Sequence, residues 1–185
     1  AGALFVALWC SPKIIKNIFV ASKSGDDAGA LFVGGQEHRY DAPLDPLPPK
    51  EKFFVEIDRN LFVGNINPSQ NSGIMRFTME SRGSFTNNIC FNNSGLYFQR
   101  SETQIYNNTI LENFLLIETK EGLGKSFVTN NIIWGNLNVE APSEFAHNDL
   151  KYNYSGSGNF SQDPSFVNDS YRINPLSVSF DNKSI

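Results

Sequence analysis

The chain has 185 residues, enough to bury one full core as a single domain. Charged residues make up 18% and the net charge is −4, with no basic stripe to cradle phosphates, which argues against nucleic acid as a partner. No apolar run approaches the roughly 20 residues of a membrane-spanning helix, so the folded body is expected to be soluble.

Asn is the commonest residue and Phe reaches 16, whereas Ala, Leu, Glu and Lys are too sparse for a helical protein. Asn and Gly favour turns, and Phe, Ile, Val and Tyr favour strands, so the chain reads as all-β. Two cysteines, Cys10 and Cys90, are too few for a disulfide framework. They read as buried free thiols, with a single bridge between them as the alternative.

The first element is AGALFVALWC, Ala1 to Cys10. A secretion signal needs a basic leader and a small residue before cleavage, but no Lys or Arg comes earlier and Trp9 precedes Cys10. The hexapeptide AGALFV returns at Ala28 to Val33, 27 positions on, so the opening reads as a repeat unit. No amphipathic cap precedes it, which predicts a longer parent chain or a partner stacked on the first coil.

Six later segments share one form, apolar residues, then Asn, then a short apolar run: IIKNIFVAS, EIDRNLFVGN, SFTNNICFNN, QIYNNTILEN, SFVTNNIIWGN and EFAHNDLKYN. With Asn17, Asn60, Asn88, Asn108, Asn131 and Asn148 as markers, the later intervals are 28, 20, 23 and 17 residues. The first interval, 43, would fit two turns of the same unit. Short strands at this period, without helical rhythm, predict a parallel β-solenoid in which like residues stack on like. Asn at each corner tolerates left-handed backbone angles, and its amide can bond to the amide one coil above.

The segment CSPKIIKNIFVASKSGDDAGALFV, Cys10 to Val33, resembles a coil of the right-handed parallel β-helix proteins. It is most similar to the pectate-lyase-like repeat of bacterial surface proteins. NNIIWGN at Asn130 to Asn136 fits the same pattern, and DPSFVNDSYRINPLSVSFDN at Asp163 to Asn182 resembles a last coil and closing tail. The resemblance implies coils over residues 1–167, with a loop inserted over 34–54, and a closing segment over 168–185. It also implies an extracellular, periplasmic or cell-surface location. The family spans lyases, hydrolases, epimerases, adhesins and phage spikes, so it specifies an architecture and no activity.

The inserted loop carries Pro43, Pro46, Pro48 and Pro49, which forbid regular ladder bonding. EAPSE at Glu140 to Glu144 is a smaller excursion. Asp26 and Asp27 superficially resemble the Asp-Asp element of polygalacturonases, but that family's other motifs are missing and the pair reads as a turn. His38 and His147 have no Cys or His at ligand spacing, so a zinc site is not expected. Sequons at Asn92, Asn107, Asn153, Asn159, Asn168 and Asn182 arise by chance in so Asn-rich a chain.

Aligning GIMRFTME, SGLYFQRS and NFLLIETK by their apolar faces puts Met75, Phe77, Met79, Leu96, Phe98, Leu115 and Ile117 inward. Arg76, Thr78, Glu80, Tyr97, Gln99 and Glu118 then point outward. Arg76, Thr78, Tyr97, Gln99 and Glu118 form the candidate carbohydrate-binding column, an aromatic face beside hydrogen-bonding groups. The competing reading is an ordinary solvated sheet.

Two functions follow. One is a non-catalytic surface scaffold or binding module, which takes a polysaccharide or a further protein subunit stacked on the first coil. The other is a carbohydrate-active enzyme, read as a polysaccharide lyase, against which the net negative charge stands because a polyanion prefers a basic groove. No cofactor is expected for the first, and calcium enters only with the second. Ice binding is a minor third reading, with no Thr-x-Thr ladder to support it.

Overall fold

A computed structural model of the chain describes residues 2–7, 10–25, 28–34, 53–68, 73–78, 81–111, 114–118, 125–140, 143–167 and 172–173. Among these residues there are strands and no helix. Three six-stranded parallel sheets run the length of the molecule, each taking one strand from every coil. Sheet 1 holds β1 (Leu4–Ala7), β4 (Leu31–Gly34), β7 (Met75–Thr78), β10 (Leu96–Gln99), β13 (Phe114–Glu118) and β16 (Asn136–Glu140). Sheet 2 holds β2 (Lys13–Ile15), β5 (Val55–Asp58), β8 (Arg82–Thr86), β11 (Glu102–Tyr106), β14 (Ser126–Thr129) and β17 (Ser143–Ala146). Sheet 3 holds β3 (Ile18–Val20), β6 (Leu61–Val63), β9 (Ile89–Phe91), β12 (Thr109–Leu111), β15 (Ile132–Ile133) and β18 (Asp149–Leu150). The chain is a parallel β-helix, and a short antiparallel pair, β19 (Phe166–Val167) with β20 (Arg172–Ile173), follows the coils.

The two copies of AGALFV stack directly: Leu4 pairs with Leu31, Phe5 with Phe32 and Val6 with Val33. Phe5 and Phe32 lie ring on ring, with centroids 4.8 Å apart. Alternation then assigns the faces. Rows such as Leu31–Met75–Leu96–Leu115 and Val33–Phe77–Phe98–Ile117 fill the interior, as do Ile57–Phe85–Ile105–Val128 from sheet 2. The inward assignment of Met75, Phe77, Leu96, Phe98, Leu115 and Ile117 therefore holds; Met79 and Glu80 lie outside the described residues. Like-on-like stacking gives aromatic layers, with Phe62 against Phe19, and Phe98 against both Phe77 and Phe85.

The corner between sheets 2 and 3 is always two residues long, and its second residue is Asn17, Asn60, Asn88, Asn108, Asn131 or Asn148. Each of these backbone N–H groups donates to Oδ1 of the Asn one coil on, at 2.8 to 3.0 Å, and the series ends on Asn159. Each Nδ2 donates to the same oxygen at 2.9 to 3.2 Å. From Asn60 onward Nδ2 also donates to a carbonyl one coil back, on Ile14, Ile57, Phe85, Ile105 and Val128 in turn. One buried amide thus satisfies backbone groups on both sides at a bend that ladder bonding leaves open.

Three expectations are corrected here. The left-handed residue is not the ladder Asn but its predecessor: Lys16, Arg59, Asn87, Asn107, Asn130 and His147 all have φ between 55° and 58°. The 43-residue interval is one coil, not two, because Asn17 bonds Asn60 directly and Ile14 pairs with Ile57. Cys90 is a buried thiol outside any disulfide, as expected, but Cys10 is exposed.

The proline-rich excursion expected over 34–54 falls mainly on residues outside the described set. So do Asp26, Asp27, His38 and most of the closing segment over 168–185. No helix among the described residues is long and apolar enough to cross a membrane, which says nothing of strand-crossing proteins.

Candidate functional site

Sheet 1 carries the candidate column. Its outward face has two rows. In the first, Phe5, Phe32, Arg76, Tyr97, Leu116 and Asn138 stand side by side. In the second, Gln99 lies beside Glu118, and Thr78 lies beside Gly34. The structure thus brings all five candidates onto one face of three neighbouring strands, with Arg76 directly beside Tyr97. Gln99 Nε2 donates to Glu118 Oε2 at 3.5 Å, so the coil-to-coil step itself is hydrogen-bonded.

Exposure divides the five. Arg76, Gln99 and Glu118 are partly exposed, but Tyr97 is only 6% and Thr78 only 4% exposed. Phe32 and Leu116, in the same row as Tyr97, are buried as well. An outward direction on the sheet is therefore not the same as contact with water, and the aromatic ring does not offer an open stacking platform. Gly73 explains part of this. It has φ +49°, and a Cβ on it would strike both the Gly95 carbonyl and the Tyr97 ring. The backbone there lies against the ring, a close approach that only glycine permits. Burial also pushes the Tyr97 hydroxyl above its ordinary pKa.

The remaining carboxylates are largely tied to structure. Glu56 pairs with Lys13 at 3.0 Å and Glu102 with Arg82 at 2.9 Å, each across adjacent strands of sheet 2, and Glu144 pairs with Lys125, just ahead of β14, at 2.8 Å. Asp58 accepts from Arg59 Nε, Thr86 Oγ1 and Asn87 Nδ2, which together hold its carboxyl below the ordinary value against the opposing effect of its burial. Asp149 is the exception. It is 2% exposed; one oxygen accepts from the Gln162 N–H at 3.0 Å, and Oδ2 has no hydrogen-bond partner among the described residues. Burial, with Asp163 nearby, raises it to about 6.

Calcium, which a lyase of this architecture uses, needs several oxygen ligands from clustered carboxylates. The candidate column holds one carboxylate, Glu118, and does not fit it. Among the described residues no group of three His, Cys, Asp or Glu lies together.

Sequence reading passed over a second ladder. Ser22 and Asn65 donate backbone N–H to Oδ1 of Asn65 and Asn93, both at 2.9 Å, at the corner after sheet 3. Its signal was present, since the residues five beyond the ladder Asn are Ser22, Asn65, Asn93, Asn113, Asn136 and Asn153.

Compared with known proteins, the chain matches no family model, no curated protein and no solved structure.

Proposed function

We propose that the chain is a non-catalytic scaffold and binding module, working outside the cell or on its surface, whose sheet 1 face takes a polysaccharide. The observation that carries this reading is how most of the described carboxylates are spent. Glu56, Asp58, Glu102 and Glu144 sit in cross-strand or corner contacts, Glu118 bonds Gln99, Asp163 caps the Ser165 N–H, and the exception, Asp149, is 2% exposed and lies in sheet 3, away from the sheet 1 face. Acid–base chemistry on a sugar needs a pair of carboxyl groups, or a metal with a base, held for the substrate rather than for the fold. Ligand contact falls to the partly exposed Arg76, Gln99 and Glu118, with the buried Tyr97 beside Arg76 on the neighbouring strand.

The test is a glycan array probed with wild type and with Arg76→Ala. Binding that falls about tenfold or more in the variant, equal to about 1.4 kcal/mol, supports the reading. A parallel incubation with uronate polysaccharides, with and without calcium, monitors unsaturated product. Its release, abolished in Arg76→Ala, would replace the scaffold with a lyase.

A further inference from the structure

Sheet 3 presents an apolar outward face. Its inward row, Phe62, Cys90, Ile110, Ile133 and Leu150, is buried, so the flanking positions face away from the core. One outward row runs Ile18, Leu61, Ile89, Thr109 and Ile132. The other runs Val20, Val63, Phe91 and Leu111, and Trp134 continues it, its N–H donating to the Ile110 carbonyl at 2.8 Å. Thr109 is the one polar side chain among these ten; on β18 the first row ends on the buried Asp149 and the second on the exposed Lys151. Ile18 is 69%, Val20 57% and Ile89 45% exposed. Beside the strip stands the ridge of left-handed corner residues, among which Lys16, Arg59, Asn87, Asn107 and His147 are exposed.

We infer that this strip is a self-association surface on which a second copy of the chain docks, sheet 3 against sheet 3. The inference goes beyond the glycan-binding reading and does not depend on it. Area supports a second copy. Five strands at about 4.8 Å by three residues at about 3.3 Å cover about 240 Å² in plan. Side-chain relief and the polar ridge bring this to on the order of 500 Å² of accessible surface per copy, and about 1,000 Å² in total is the size of a weak, reversible interface. Sheets with one apolar face bury it by stacking face to face at about 10 Å, and an apolar strip beside a polar rim is interface anatomy.

Shape selects the symmetry. The second row grows from Val20 and Val63 at one end to Phe91 and Trp134 towards the other. An isologous two-fold turns one strip end for end on its partner, so the large side chains of each copy meet the small ones of the other. A two-fold along the coil axis, which keeps the coils in parallel order, would instead set Trp134 against Ile132 of the other copy and leave a gap over Val20.

Sedimentation from about 1 μM to about 1 mM protein should show a monomer–dimer equilibrium with a Kd on the order of 10 μM. Ile89→Asp should weaken it at least about 30-fold while leaving the circular dichroism and the melting temperature unchanged. If that variant fails to fold, Ile18→Asp at the most exposed position replaces it. A monomer at every concentration, or a dimer indifferent to these changes, overturns the inference. Orientation is read by oxidative cross-linking of Val20→Cys protein mixed with Trp134→Cys protein, both carrying Cys10→Ser. Mixed disulfide dimers support the end-for-end two-fold; cross-linking of Val20→Cys to itself alone overturns it. Glycan binding by the Ile89→Asp variant is measured separately, so failure of either reading shows independently.

Discussion

Asn88 donates both its backbone N–H and its Nδ2 to one oxygen, Oδ1 of Asn108, at 2.9 and 3.2 Å. Asn108 repeats the pattern towards Asn131 and reaches back to the Phe85 carbonyl at 2.8 Å. Asn108→Ala therefore strands a backbone N–H on Asn88 and a carbonyl on Phe85, both buried, while Asn131 Oδ1 keeps the backbone N–H of residue 108. Each buried group without a partner costs about 1–3 kcal/mol, so a loss of about 4 kcal/mol is expected in urea titration. Asn108→Asp should be at least as damaging, because an acceptor then faces the Phe85 carbonyl. A loss below about 1 kcal/mol in both variants would show that the ladder is ornamental.

Asp149 sets a pH dependence. Its folded value of about 6 lies above the roughly 3.9 of an unfolded Asp, so the folded state binds the proton more tightly. The associated stability is complete below about pH 4 and is lost as the pH rises through about 6. Asp149→Asn keeps an acceptor for the Gln162 N–H and removes the charge. Its melting temperature should exceed that of wild type at pH 8, by up to about 3 kcal/mol in stability, and match it near pH 4. An equal difference at both pH values would remove the carboxyl from this role.

Lys16 occupies the left-handed corner position without the tolerance of Asn or Gly, and its side chain is exposed. That conformation costs about 1–2 kcal/mol, part of which Gly returns as lost backbone entropy. Lys16→Gly should therefore stabilise the protein by roughly 0.5–1 kcal/mol, seen as a higher urea midpoint at constant m-value.

Gly73 holds the backbone against Tyr97, so Gly73→Ala meets both a left-handed angle and a collision. The expected cost is about 2 kcal/mol or more, with a changed near-ultraviolet tyrosine signal. Unaltered stability would mean that the ring yields freely.

The architecture was legible because a solenoid must repeat what it stacks. The echo of AGALFV and the recurring Asn predicted which residues meet, and Leu4 on Leu31 and Asn88 on Asn108 follow. Alternation in MRFT and LYFQ placed Phe77 and Phe98 inward without a slip, since a one-residue error would have turned both outward. The left-handed residue escaped because three corners read Asn-Asn, and Lys16, Arg59 and His147 carry no such signature. Burial of Tyr97 and Thr78 escaped for a different reason. Alternation says which way a side chain leaves its strand, but what then covers it comes from chain distant in sequence, and the Gly73 backbone over the Tyr97 ring has no local pattern.

The intervals between bonded ladder residues are 43, 28, 20, 23, 17 and 11, yet the corner that carries them never departs from two residues through Asn148. Every difference in coil length is taken up at the other two bends. One edge of the molecule acts as a fixed ruler, and the rest of each turn is free in length. Residues can be gained or lost away from the ruler while neighbouring coils keep their height and their register. A single residue added between Arg59 and Leu61 would instead move an Asn out of step and turn the following strand inside out. The same chain can thus vary what it displays at its surface and hold its pitch constant.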